Sequence, residues 1–274
     1  MMKRYAVTGA VLGSALALTS LTACGSDTKT KSTSLGDINL SASQVLLKTA
    51  EKSAAVDTFG ADLTVDGTIK VHGTGQFRIK PNTAFTVNLD KIGVGGTSFA
   101  GSGGTHLVFV DQNFYVQNSQ LGQLLGASKP WMKVSLADIG QKSGVNVGDI
   151  VKQAEQANPA DLAKIMTFSK DAKKVGTESV DGVETTHYQG TVGIKDAAAQ
   201  LSPELAKRAQ ALGSNGDVIN FDLWTDAQNL PRKVVTTAKS SEGPYTVTAL
   251  FRDYGKSVNV SAPPADQTGP LTIP

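Results

Sequence analysis

The side chains that could do chemistry in this 274-residue chain are few: one thiol, three imidazoles and some serines among glycines. The thiol is Cys24, which closes the tetrad Leu21-Thr22-Ala23-Cys24. Before it come a basic start at Lys3 and Arg4 and an apolar run from Tyr5 to Leu18. That layout is a secretory leader, too short and too rich in small residues for a membrane span. The tetrad has the order of a bacterial lipobox, in which the cysteine sulfur receives a diacylglyceryl group and the chain is cut before it. With no second cysteine, an intramolecular disulfide is excluded, and an unpaired thiol on an exported chain calls for a cap. Residues 1–23 therefore read as a signal peptide, and Cys24 as the acylated first residue of the mature protein. The expected covalent groups are a diacylglyceryl and an N-acyl chain such as palmitate. Two acyl chains hold a protein stably at a membrane.

The histidines His72, His106 and His187 lie far apart, each in or beside a strand pattern, with no HxH or HExxH spacing. No metal is expected from them. The stretch "GTSFA" around Ser98 approaches the nucleophile elbow GxSxG but lacks its second glycine. "GVGGTS" and "GSGGTH" complete neither GxGxxG nor a P-loop, and read as hairpin loops. Acid pairs such as Asp149 with Glu155 carry no signal among 24 acidic residues. The chain offers no catalytic constellation and no cofactor motif, so a non-enzyme is expected. An anchored hydrolase would need Ser98 and a base that nothing in the sequence supplies. Loss of Lys3 and Arg4 with the leader brings 26 basic residues into balance with the 24 acids. A neutral mature chain does not suit nucleic acid.

The elements that would position any site begin after a polar, aperiodic stretch, "GSDTKTKSTSLG". Residues 24–40 read as the lipidated start and a tether, whose twelve residues 25–36 average about 20 Å end to end and reach about 40 Å when stretched. A serine-capped helix follows, from Ser41 or Ser43 to Ala55, with Val45, Leu46, Ala50 and Ala54 on one side. The period then becomes two: Phe59, Ala61, Leu63, Val65, Gly67, Ile69 and Val71 alternate with polar residues. Because the alternation runs unbroken through Asp66-Gly67, the turn is expected near His72-Gly73. The same parity returns at Phe77 and Ile79 and, after Pro81-Asn82, at Phe85, Val87 and Leu89. Two strands meet at Asp111 to Asn113, and Leu107 to Val110 is apolar throughout, which predicts cover on both faces.

A short strand around Trp131 to Val134 precedes two expected helices, one near Val147 to Ala157 and one opened by Asn158-Pro159 with Leu162, Ile165 and Met166 on its face. Asp181-Gly182 marks a tight hairpin, and Ser202-Pro203 opens a helix carrying Leu205, Ala209 and Leu212. "VINFDLW", "PRKVVTTA" and "YTVTALFRDY" read as a meander, and residues 263–274 as an extended, proline-rich tail. Runs of antiparallel strands interrupted by helices make the class α+β, with one domain over 41–262. Its long apolar strand faces must be covered by helices or left open as a pocket, which suits apolar ligands.

"LLKTAEKSAAVDTFGADLTVDGTIKVHGTGQFRI", "HLVFVDQNFYV", "WMKV", "GTESVDGVETTHYQGTV" and "FDLWTDAQNLPRKVVTTA" occur in an order that resembles the LppX/LprA/LprF/LprG lipoproteins of mycobacteria. The likeness spans nearly all of Leu46 to Val260; inserts at Gly93–Gly104 and Lys195–Gly216 are longer than the pattern. The resemblance implies a strongly curved antiparallel sheet, a half-barrel similar to LolA and LolB, with helices on its concave face. It implies a cavity for acylated lipid or glycolipid, carriage across the cell envelope from the extracytoplasmic face of the membrane, and an envelope transporter as partner. By that analogy Leu63, Val65, Phe77, Phe85 and Val87 are the first candidates for cavity lining, followed by Phe109, Met166, Phe221 and Leu223. The competing expectation is an anchored binding, sensor or assembly domain whose apolar face is plain core.

Overall fold

The computed structural model describes residues 40–98, 103–135, 159–212, 218–240 and 243–271. The Cys24 leader and tether, the helix expected near Val147 to Ala157, its neighbour's Asn158 cap and the Asp149–Glu155 pair lie outside these residues. Helix α1 (Ala42–Ala54) leads into strands β1 (Thr58–Asp66), β2 (Ile69–Arg78), β3 (Ala84–Val94), β4 (Thr97–Ser98), β5 (Thr105–Val110) and β6 (Asn113–Gln117). Helix α2 (Ser119–Leu124), strand β7 (Trp131–Ser135) and helix α3 (Pro159–Met166) follow. Then come β8 (Lys173–Val180), β9 (Val183–Gly193), α4 (Ile194–Ala198), α5 (Pro203–Leu212), β10 (Val218–Thr225), β11 (Pro231–Ser240), β12 (Gly243–Arg252) and β13 (Thr268–Pro270).

The strands form one large curved, open sheet in the order β13-β7-β6-β5-β3-β2-β1-β12-β11-β10-β9-β8, with β4 paired to β3. Every pairing is antiparallel except that of β13 with β7. The α+β class and the helix-covered antiparallel sheet are as expected. The tail differs: instead of trailing, it turns through a short 3-10 helix at Ala265–Gln267 and adds a parallel edge strand.

The first hairpin turn also differs from expectation. It lies at Gly67-Thr68, and β2 runs straight through His72-Gly73, where its register to β3 shifts by a bulge. The pairing Val65↔Val71 accounts for the difference. Because paired residues such as Leu63 and Gly73 or Val65 and Val71 share parity, odd-numbered residues stay on one face across the turn, so the alternation cannot reveal it. The turns at Asp111-Gln112 and Asp181-Gly182 fall where expected, with left-handed backbone at all four residues.

Helix α1 carries a full capping box, Ser41 with Gln44. Its buried stripe is Val45, Leu46, Thr49 and Ser53, whereas Ala54, expected inside, is exposed. α1 packs against α3, whose Ala160 and Ala163 are also buried. The short helices α2 and α4 were not expected. On the opposite face of the sheet, Val258 and Val260 pack with Ala84, Val108, Val110, Tyr115 and Trp131, which supplies the second cover predicted for the Leu107–Val110 run.

Candidate functional site

The helix-covered face is built around a row of phenylalanines. Phe59 of β1 pairs with Phe77 of β2, Phe77 with Phe85 of β3, Phe85 with Phe109 of β5, and Phe109 with Phe114 of β6. Ring centroids along this row are 5.0, 5.8, 5.3 and 4.8 Å apart, and Phe251 of β12 meets Phe59 edge-on at 6.0 Å. Offset and edge-on contacts at these distances are the favourable aromatic geometries. Leu46 of α1, Ile165 and Met166 of α3, Ala197 of α4 and Ala209 of α5 close over the same cluster. Side chains pack so closely on Gly190 that a Cβ there would lie 2.6 Å from Ser169 Oγ and 2.8 Å from the Phe221 ring. Between α3 and the sheet, a gap of about 10 Å3 remains among Leu162, Ile165, Met166, Val192, Ile219, Phe221 and Thr236. That is room for about one water.

Further along the strands the same face opens. Leu63 on β1 is 39 % exposed, Ile69 on β2 46 % and Val94 on β3 45 %. Val65, Val71, Leu89, Ile92 and Val247 between them are partly exposed. Glycine opposite Leu63, at position 73, leaves only the Leu89 side chain to lean across. A cleft of about 390 Å3 adjoins this end, lined by Thr64, Val65, Asp66, Val71, His72, Asp90 and Lys91. A contiguous apolar patch of this kind marks a contact surface more often than chance exposure does.

The structure thus divides the nine candidate lining residues. Phe77, Phe85, Phe109, Met166, Phe221 and Leu223 belong to one packed cluster, with Val87 at its margin. Leu63 and Val65 lie beyond it, on the open part. Phe59, Phe114 and Phe251 complete the aromatic cluster, and Ile69 and Val94 the open patch. Parity placed Phe59, Phe251 and Ile69 on that face; pairing alone brought Phe114 and Val94 to it.

The histidines are held by polar neighbours. His72 Nδ1 lies 2.5 Å from Asp90 Oδ1 and Nε2 3.3 Å from Asp62 Oδ1. The hydrogen bond to Asp90, and next the charge of Asp62, raise its pKa. His106 pairs with Asn88 at 2.5 Å, and His187 pairs with Asp222 at 2.7 Å while stacking on Trp224 at 4.3 Å. Among the described residues no His, Cys, Asp or Glu cluster could hold a metal. Ser98 sits in the two-residue strand β4, paired to Gly93, without the strand-to-helix turn that an elbow needs. At the closed end, Arg232 bonds the buried Asp226 at 2.7 Å and lies over the Tyr254 ring, whose phenol burial pushes well up.

With this geometry in hand, known proteins can be compared. The fold is similar to that of LprF from Mycobacterium bovis, with a TM-score of 0.52 and 14 % identity over 81 % of this chain and 96 % of that one. Over 104 residues the sequence is 31 % identical to the lipoarabinomannan carrier protein LprG of Mycolicibacterium hassiacum, covering 38 % of this chain and 40 % of LprG. In fold the chain is LprF-like. Residues 157–268 match a family described as "predicted periplasmic protein (DUF2092)". An uncharacterized 31.2 kDa protein of Streptomyces griseus, from the rplA-rplJ intergenic region, is 29 % identical over 61 % of this chain and 57 % of its own length. The chain therefore spans about half the length of these curated relatives. The relatives named for a role are a putative lipoprotein of Streptomyces coelicolor and the LprG carrier protein.

Proposed function

We propose that this protein is an envelope lipoprotein that takes acylated lipid or glycolipid against its apolar sheet face and carries it across the envelope. The observation that carries this reading is the continuation of the helix-covered face into an exposed strip at Leu63, Ile69 and Val94. Acyl chains can enter along such a strip without first breaking the phenylalanine cluster. LprG, similar over part of its length, is named a lipoarabinomannan carrier protein, which supports a carrier role. Acylation of Cys24 would keep the domain at the extracytoplasmic face of the membrane, and an envelope transporter would receive or supply the lipid.

Mass spectrometry of organic extracts from purified protein tests the reading. Co-purified acyl lipid, lost on Leu63→Asp, is the expected result. Protein that is reproducibly empty and takes up no fluorescent acyl probe would overturn it. A Cys24→Ala variant should leave the membrane fraction; one that stays there would sink the anchor. A second reading, a closed binding or assembly domain, draws on the gap of about 10 Å3 beside α3. It predicts empty protein and a protein partner in crosslinked membranes.

A further inference from the structure

Two polar groups inside α1 have no explanation in the packing of the protein itself. Thr49 and Ser53 stand one helical turn apart on the buried stripe of α1, each with no exposed surface. Among the described residues neither hydroxyl has a hydrogen-bond partner. A serine or threonine within a helix usually returns its proton to the carbonyl one turn back, and here that bond is absent. The stripe continues into Val45 and Leu46, and Leu46 belongs to the cluster of Phe59, Phe77 and Met166. The two donors therefore border the apolar interior on the helix that would line any lipid lying between helices and sheet. An unpaired hydroxyl in such surroundings is costly, and native interiors rarely keep one without a reason.

We propose that Thr49 and Ser53 are the polar anchor of the cargo, donating hydrogen bonds to the ester carbonyls of an acylated lipid whose chains lie on the phenylalanine cluster. This rests on the lipid-binding reading above and adds to it the chemical group that is recognised. Two carbonyl acceptors match two donors about 6 Å apart on one helix face, whereas a hydrocarbon chain alone satisfies neither. The anchor selects ester-linked lipids over hydrocarbons or ethers of equal length.

The test compares two probes on the full chain in a cholate-type detergent: fluorescent diacyl phosphatidylglycerol and its dialkyl ether counterpart. In the Thr49→Val, Ser53→Ala double variant, affinity for the diacyl lipid should fall about tenfold while affinity for the ether lipid changes less than about twofold. Melting temperature should stay level or rise, because a buried unpaired hydroxyl is removed. Thr49→Ser, which keeps the donor, should retain ester preference. Equal losses for both lipids, no loss for either, or a drop in melting temperature with both losses would overturn the anchor. Wild-type protein that binds both lipids equally overturns the anchor alone. Wild-type protein that binds neither overturns the lipid-binding reading as well.

Discussion

Phe59 and Leu63 share one face of β1, two alternations apart, yet Phe59 is 1 % exposed and Leu63 39 %. The strand treats them alike; the layer above does not. Over Phe59 lie other aromatic rings and the helices, and beneath the tip of the β1–β2 hairpin the described residues supply no such cover. Apolar periodicity states which residues could be buried, and tertiary cover selects which are. At the covered end apolar side chains act as core. At the open end the same residue types remain available to a ligand.

Truncation at the two ends should separate these roles. Phe59→Ala at the covered end should cost about 3–5 kcal/mol of stability, since a filled aromatic site leaves a cavity that cannot collapse. Denaturant unfolding measures it, and a cost below about 1 kcal/mol would erase the contrast. Asp226→Ala should follow, at about 2–3 kcal/mol. Buried Asp226 accepts the backbone N–H groups of Gln228 and Leu230 and pairs with Arg232, which would be left without its partner.

Leu63→Ala at the open end should cost under about 1 kcal/mol, as expected for a half-exposed site, while lowering acyl-probe uptake. Equal effects of Leu63→Ala and Phe59→Ala on stability would show that the open end is covered in solution. The smallest effect concerns pH. The His72 pKa is raised by its hydrogen bond to Asp90 and then by Asp62. Protonated His72 therefore supports the fold below about pH 6.5, and the support is lost as pH rises through the raised value. Melting curves from about pH 6 to 8 should show a decline that Asn at position 72 flattens; an unchanged slope would place the pH response elsewhere.

Much of the architecture was legible because the patterns are strong. Asp181-Gly182 and Asp111-Gln112 announce their turns, and strict parity from Phe59 to Leu89 identifies one face over three strands. Other features were hidden for stated reasons. The Gly67-Thr68 turn preserves parity, so alternation cannot detect it and points five residues later, to His72-Gly73. The α2 segment "SQLGQL" is too short for a helical period and is started by the Asn118 cap, which accepts from the Leu121 N–H. The edge strand β13 follows prolines that resemble a loose tail, and only its pairing with β7 makes it a strand. Thr49 and Ser53 count as polar in any hydropathy pattern, so the pattern runs the α1 stripe through Ala50 and Ala54 instead.

The sequence by itself determined the local rules: alternation in the strands, tight turns, a capped first helix, and a lone cysteine in lipobox order. These depend on nearest neighbours along the chain, and composition together with spacing expresses them. Only the tertiary structure decided that Phe77 and Phe85 are core while Leu63 and Val65 stand open, and that two hydroxyls lie unpaired inside α1. Those outcomes depend on which distant segment comes to rest on a given patch, and no local period encodes the reach of a helix.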